Sequence, residues 1–244
     1  MIEIRQEYPT PDGGVFVALG GVSLEVKEGE TLCLIGTSGS GKTTLMKTIN
    51  RLIEPTTGTV KIKGQDVQEL DPVRLRRRIG YVIQRGGLFP HFTIADNVGL
   101  LCKLEGWPPA KIEARVKELL ALVNLDLAEH GHRYPGELSG GQRQRVGVAR
   151  SLALDPEIIL MDEPFGALDP ITRDQIHDEF LRLKEEVKTT TVLVTHDMAE
   201  AFKLGDRVAL LDKGMLVQLG VEADFRERPA NEFVESFLQS HLHA

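Results

Sequence analysis

The nine residues Gly36, Thr37, Ser38, Gly39, Ser40, Gly41, Lys42, Thr43 and Thr44 constrain this chain more than any other segment. They fit the spacing G-x-x-x-x-G-K-S/T, in which each position has a physical task. The glycines let the main chain bend tightly, so that several N–H groups can point into one concave nest. A helix starting at the lysine would bring its unpaired N–H groups and the positive end of its dipole to the same place. Lys42 can reach β- and γ-phosphate oxygens, and the Thr43 hydroxyl can be offered to Mg²⁺. Upstream, Thr31, Leu32, Cys33, Leu34 and Ile35 form a short apolar run suited to a buried parallel strand. Downstream, residues 42–52 are helix-competent. Strand, glycine loop and helix, in that order, predict a nucleotide-binding segment rather than a chance glycine-rich turn.

With 244 residues, 41% of them hydrophobic, the chain is long enough for one large α/β domain or two small ones. A formal net charge of -7 argues against a nucleic-acid surface. Cys33 and Cys102 lie in apolar surroundings without metal-ligand spacing, as buried thiols in a reducing compartment would. Met1-Ile2-Glu3-Ile4-Arg5 reads as the start of a strand, not a signal peptide. No run of about 18 apolar residues is present to span a membrane.

Hydropathy patterning divides the chain into three stretches. Residues 1–4, 15–19, 22–26 and 59–62 read as strands punctuated by Gly and Pro. Residues 91–154 are mainly helical, with Ile112, Val116, Leu119, Leu120 and Val123 on one face and Pro108-Pro109 as a start signal. The last third alternates: strand 158–161, helix 171–187, strand 190–195, helix 198–204, then strands 208–211 and 215–219 around Asp212-Lys213-Gly214. Such alternation predicts a mainly parallel sheet, with the helical middle inserted between its two halves.

Two further segments carry chemistry. The apolar strand at 158–161 ends in Asp162 and Glu163. Adjacent carboxylates are costly to bury without partners, but at a strand's C-terminal end they can face a ligand. Asp162 can hold Mg²⁺, and Glu163 can orient or deprotonate an attacking water. Taken alone, a solvated strand end explains them equally well. The second segment, Leu138-Ser139-Gly140-Gly141-Gln142, opens a helix with Ser139 as N-cap. Its glycines expose helix N–H groups, a second potential phosphate cradle. Two cradles far apart in one chain suggest a head-to-tail dimer with each nucleotide shared between copies; an ordinary capped helix also accounts for the pattern.

Residues 138–142 (LSGGQ) resemble the signature sequence of ATP-binding-cassette (ABC) ATPases, and the family's other elements follow in order. Gln84 in Tyr81-Val82-Ile83-Gln84 matches the Q-loop glutamine, Ala167-Leu168-Asp169 the D-loop, and His196 the switch histidine. The resemblance runs from about Gly21 onward. It implies a P-loop NTPase (RecA-like) core with a mainly parallel sheet, an N-terminal antiparallel β subdomain and an inserted α-helical subdomain. Residues 1–244 would be a single nucleotide-binding domain, with 1–90 and 155–244 as core and 91–154 as helical subdomain. By the same resemblance the chain is an ATPase using ATP and Mg²⁺, with Thr43, Gln84 and Asp162 at the metal and Glu163 as base. His196 would contact the γ-phosphate. Ser139, Gly140, Gly141 and Gln142 would meet ATP held by the partner copy, and Asp169 would lie at the dimer seam. The adenine-stacking aromatic departs from the pattern: Tyr8 is the preferred candidate, and Phe16 competes.

The resemblance further implies two transmembrane permease subunits, an extracytoplasmic solute-binding protein and a place on the cytoplasmic face of the membrane. Residues 85–92, with Leu88, Phe89 and Phe92 among glycines, suit a groove for a partner's short helix. Residues 49–55, 76–84, 87–91, 161–170 and 228–234 resemble osmoprotectant importers for glycine betaine, carnitine, choline and other quaternary amines. An importer for amino acids or phosphonates is the nearest alternative. Some relatives carry regulatory repeats after this domain, and the sequence ends before such repeats would begin. A non-transport ABC ATPase would be expected to add zinc-binding cysteines, a coiled coil or a second cassette. Arg74, Arg76, Arg77 and Arg78 read as a solvated helix face rather than a nucleic-acid patch.

Overall fold

The computed structural model describes residues 1–83, 87–166 and 168–242. They form two compact units, residues 1–76 with 190–244 and residues 77–189.

In the first unit, strand β3 (Thr31–Gly36) is buried along its whole length. An uninterrupted apolar run is what a strand covered on both faces requires. It pairs in parallel with β9 (Thr190–Val194) and β10 (Arg207–Asp212). β10 turns back through Lys213 and Gly214, both at positive φ, into antiparallel β11 (Met215–Gly220). Two successive positive φ angles are the turn that matches strand twist. At the start of β3, buried Glu30 receives the Arg207 guanidinium on both carboxylate oxygens and the Lys27 N–H at 2.6 Å. Burial pushes the Glu30 carboxyl upward, but these hydrogen bonds outweigh it and hold the group below its ordinary range.

A second sheet joins β1 (Ile2–Pro9) to β2 (Val15–Val22) and β4 (Thr57–Thr59), all antiparallel. The sequence pattern suggests separate strands at 15–19 and 22–26, broken at Gly20-Gly21. The chain instead forms one strand ending at Val22. Gly21, at φ +106°, is absorbed as an extra residue between the pairings Ile4–Val22 and Arg5–Gly20. A glycine in the left-handed region makes such a bulge without a Cβ penalty. The strand expected at 59–62 is likewise divided: β4 ends at Thr59, and β5 (Lys61–Ile62) forms a small hairpin with β6 (Gln65–Asp66). Helices α1 (Lys42–Ile49), α8 (Met198–Leu204), α9 (Glu222–Glu227) and α10 (Glu232–Leu242) complete this unit. Helix α2 (Pro72–Arg77) ends at the boundary between the units.

In the second unit, β7 (Ile79–Val82) pairs in parallel with β8 (Ile158–Asp162). Between them lie α3 (Ile94–Leu104), α4 (Pro109–Leu122), the short α5 (Leu127–His130) and α6 (Gly140–Ser151). Val116, Leu119, Leu120 and Val123 are buried, as the helical spacing predicts. Helix α7 (Pro170–Val187) follows β8. Both cysteines are buried and neither forms a disulfide. Among the described residues no helix is long and apolar enough to cross a membrane.

Candidate functional site

The glycine loop leaves the buried end of β3. Gly36 has φ +145°, and a Cβ there would stand 2.0 Å from the Leu211 carbonyl oxygen. Gly41 has φ +98°, and its Cβ would meet the Ala18 carbonyl oxygen at 2.7 Å. Both positions therefore exclude a side chain on steric and conformational grounds. Gly39, by contrast, has nothing within 4 Å of where a Cβ would be. The tip formed by Thr37, Ser38 and Gly39 is exposed, while Ser40 is buried beneath it. Helix α1 starts at Lys42 with no side-chain cap from Gly41. The Lys42 ammonium lies over the loop, donating to the carbonyls of Gly36 and Thr37 at 2.9 Å each. Thr37 Oγ1 donates to Asp212 at 3.2 Å, and Gly214 N–H to the Ser40 carbonyl at 3.2 Å. A glycine-shaped loop with an open tip, a folded-in lysine and an uncapped helix start is the donor set a triphosphate needs.

His196 of this unit lies just beyond the strand that pairs with β3. Leu34 pairs with Val194, and Thr195 N–H donates to the Leu34 carbonyl at 3.1 Å. Two residues beyond this pair come Gly36, the last residue of β3, and His196, which lies past the end of β9 and is exposed. Tyr8 and Phe16 are direct antiparallel partners, 37% and 53% exposed. Residues opposite one another project to one face. The two candidate aromatics thus share a surface instead of competing from separate places.

In the second unit, Asp162 ends β8 and both it and Glu163 are half-buried. Glu163 has φ +44°, a left-handed backbone for a residue with a Cβ. Such positions carry conformational cost and concentrate at functional sites. The turn is anchored by buried Phe165, whose ring meets His177 at 4.8 Å and Phe180 at 6.2 Å. Beside β8, burial first and the Asp162 charge second push the Tyr81 hydroxyl up to about 12, so it stays protonated.

Helix α6 begins as the capping pattern predicts. Ser139 Oγ accepts the Gln142 N–H at 3.2 Å, and Gln142 Oε1 accepts the Ser139 N–H at 2.9 Å. Ser139 and Gly140 are exposed, and the Ser139 hydroxyl proton remains available for donation. Gly141 is buried instead: a Cβ would come within 2.8 Å of Thr172 Cγ2 in α7. Its need for glycine comes from helix packing. Asp169 caps α7 by accepting the Thr172 N–H at 3.0 Å. The Thr172 hydroxyl first, and its N–H next, hold the Asp169 carboxyl below the usual carboxylate range. The starts of α6 and α7 are thereby brought together. Gln84 and Ala167 lie outside the described residues, as do Arg85 and Gly86 of the expected docking segment.

A buried asparagine also shapes this unit, unsignalled by any motif. Asn97, fully buried in α3, accepts the Phe89 N–H at 2.8 Å and donates to the carbonyls of Phe89, Phe92 and Thr93. It pins the aromatic turn of Phe89, His91 and Phe92. Its signal is an asparagine on the apolar face shared by Ile94 and Val98.

The family described as "ABC transporter" matches residues 19–166. The glycine betaine/carnitine/choline transport ATP-binding protein of Bacillus subtilis is 52% identical over 98% of this chain and 62% of its own length. The glycine betaine uptake system ATP-binding protein of Escherichia coli is 47% identical over 92% of this chain and 72% of its own. The chain belongs to the ABC transporter family. Among solved structures, the ATP-binding cassette MJ0796, a dimer in a post-hydrolysis state bound to ADP and Pi, is 35% identical. It superposes with a TM-score of 0.80 over 90% of this chain and 97% of its own. The P-loop core fold expected from the resemblance is thus the fold of this ABC cassette. The chain spans about three-fifths of the length of the first curated relatives, 62% for that of B. subtilis.

Proposed function

We propose that this chain is the ATP-binding and ATP-hydrolysing subunit of an ABC importer for a quaternary-amine osmoprotectant such as glycine betaine or choline. The observation that carries this reading is the open glycine loop with its folded-in lysine, in a chain 52% identical over 98% of its length to a glycine betaine/carnitine/choline transport ATP-binding protein.

In this reading residues 36–44 hold the phosphates of ATP, and Lys42 exchanges the loop carbonyls for phosphate oxygens. Tyr8, with Phe16 beside it, stacks on adenine. Thr43 and Asp162, with Gln84, would hold Mg²⁺, which when bound neutralises phosphate charge. Glu163 takes the proton of the attacking water, and His196 donates to the γ-phosphate. The exposed Ser139 and Gly140, with Gly141 and Gln142, meet the nucleotide carried by a second copy, and Asp169 lies at that seam. Two copies close around two ATP molecules and open after hydrolysis, because the contacts to the γ-phosphate exist only in the closed state. Residues 91–154 act as the helical subdomain of one nucleotide-binding domain. Two membrane subunits, docked near Phe89, convert closure into alternating access on the cytoplasmic face, supplied by an extracytoplasmic solute-binding protein.

A sulfate/thiosulfate import ATP-binding protein of Nocardia farcinica is 49% identical over 92% of this chain. Cassettes alike at this level therefore serve unlike solutes, and another small-solute importer is the second reading. Uptake of labelled choline and of sulfate, with the chain expressed beside its membrane subunits, separates the two. Choline uptake lost in Lys42→Ala supports the proposal; sulfate uptake alone refutes the solute. Independently, Glu163→Gln is expected to bind ATP and to lose on the order of 100-fold or more in turnover. Near-normal turnover would remove Glu163 as the base.

A further inference from the structure

The imidazole of His130 is buried, and no step above employs it. Its Nδ1 lies 3.1 Å from the Asp126 carbonyl oxygen. A carbonyl only accepts, so Nδ1 faces it with a ring proton, and in the tautomer that carries its proton there Nε2 presents a lone pair. Gln142 Nε2 stands 3.4 Å from that lone pair. The orientation of the Gln142 amide is determined at its other end, where Oε1 accepts the Ser139 N–H at 2.9 Å. The NH₂ group therefore faces the imidazole. Glu129 Oε1 lies 3.6 Å from the same ring nitrogen, but Arg133 donates to that oxygen at 3.2 Å. Glu129 Oε1, itself only an acceptor, is thus engaged by Arg133, and Gln142 is the neighbouring donor that a lone pair on Nε2 can accept.

We propose that His130 is a positioning residue for the signature segment. One chain of hydrogen bonds runs from the Asp126 carbonyl through the imidazole and the Gln142 amide to the Ser139 main chain. It holds Gln142 in the rotamer that completes the capping box, and so holds the exposed Ser139 at the helix start. His130 itself touches no nucleotide. The inference rests on the reading that residues 139–142 of one copy meet ATP on the other. Without that ring, Gln142 is free to leave Ser139, and the helix start must be ordered each time two copies close.

The test uses the full chain carrying Glu163→Gln, so that ATP is not consumed. His130→Phe keeps the ring volume and removes the acceptor, whereas His130→Gln returns an acceptor oxygen at similar reach. Binding of a fluorescent ATP analogue to the separate copies is expected to be unchanged in both. The ATP concentration for half-maximal dimerisation is expected to rise about fivefold in His130→Phe, the loss of one hydrogen bond, and to recover in His130→Gln. Equal dimerisation by His130→Phe and the parent overturns the proposal, as does equal loss in both variants. Ser139→Arg in the same assay separates the two levels: if it too leaves dimerisation intact, the shared-nucleotide reading fails instead. ¹⁵N NMR of the unaltered chain reads the ring directly and needs no variant to fold. A proton on Nδ1 supports the proposal, and a proton on Nε2 overturns it.

Discussion

Replacing Asn97 should reveal how much of the aromatic turn depends on one buried amide. Four polar contacts join this side chain to the main chain of residues 89–93, with the two amide hydrogens shared among three carbonyls. Two of its partners have alternatives: the Phe89 carbonyl also accepts from Phe92 N–H at 3.2 Å, and the Thr93 carbonyl from Asn97 N–H at 2.9 Å. The Phe89 N–H and the Phe92 carbonyl depend most on the side chain. Each main-chain group deprived of its partner costs about 1–3 kcal/mol, less where water can reach it. Phe89 is 42% exposed, so the lower half of that range applies. Asn97→Ala should then destabilise by about 3 kcal/mol, lowering the thermal midpoint by about 6–12 °C for a chain of this size. Asn97→Asp separates the accepting from the donating end of the amide. It keeps an acceptor for Phe89 N–H but turns a second carboxylate oxygen toward three carbonyls. At pH 7 it should be at least as destabilised as Asn97→Ala. Repulsion and burial raise the folded-state pKa of the introduced carboxyl, so this variant should regain stability relative to wild type as pH falls. Urea unfolding followed by circular dichroism at pH 7 and pH 5 measures both effects. A variant Asn97→Asp within about 1 kcal/mol of wild type at pH 7 would refute the assigned amide orientation.

Three further outcomes follow from the site. The depressed Asp169 carboxyl contributes stability that is present above the unfolded carboxylate range and lost as pH falls through its folded value. Asp169→Asn should keep the helix cap and flatten this acid-side loss in a thermal midpoint series from pH 7 to pH 3. Aspartate caps helices as well as serine, so Ser139→Asp should change stability by less than about 0.5 kcal/mol. The same substitution sets a negative charge against ATP and should abolish nucleotide-driven pairing; unaltered pairing would argue against the shared site. Gly36→Ala forces a Cβ against the Leu211 carbonyl at a φ open to glycine, which should cost about 3 kcal/mol or more and lower ATP affinity in a fluorescent-analogue titration. A variant as stable and as tight as wild type would contradict that account of the loop.

The parts of the fold legible in the sequence are those encoded by near neighbours. The glycine loop carries its own geometry within nine residues, and β3 announces double-sided burial by an unbroken apolar run. The cap at Ser139 is likewise local, since its partner is Gln142. What was not legible depends on residues brought from elsewhere. Gly21 reads as a strand break because glycine signals a turn, and only its pairing with β1 makes it a bulge. Gly141 reads as a ligand contact, yet its lack of a side chain is required by Thr172 across the helix pair. Asn97 and His130 are invisible as site-shaping residues until the loops that carry their partners are folded over them.

In the proposed cycle ATP joins two copies of this chain, each supplying a different half of the enclosure. Sedimentation of Glu163→Gln with and without MgATP tests it most directly. A single species of about twice 27.0 kDa is expected with MgATP, the 27.0 kDa species with ADP, and no shift when Ser139→Arg is added. A chain that stays at 27.0 kDa under saturating MgATP, or one that pairs equally well with Ser139→Arg, would contradict it.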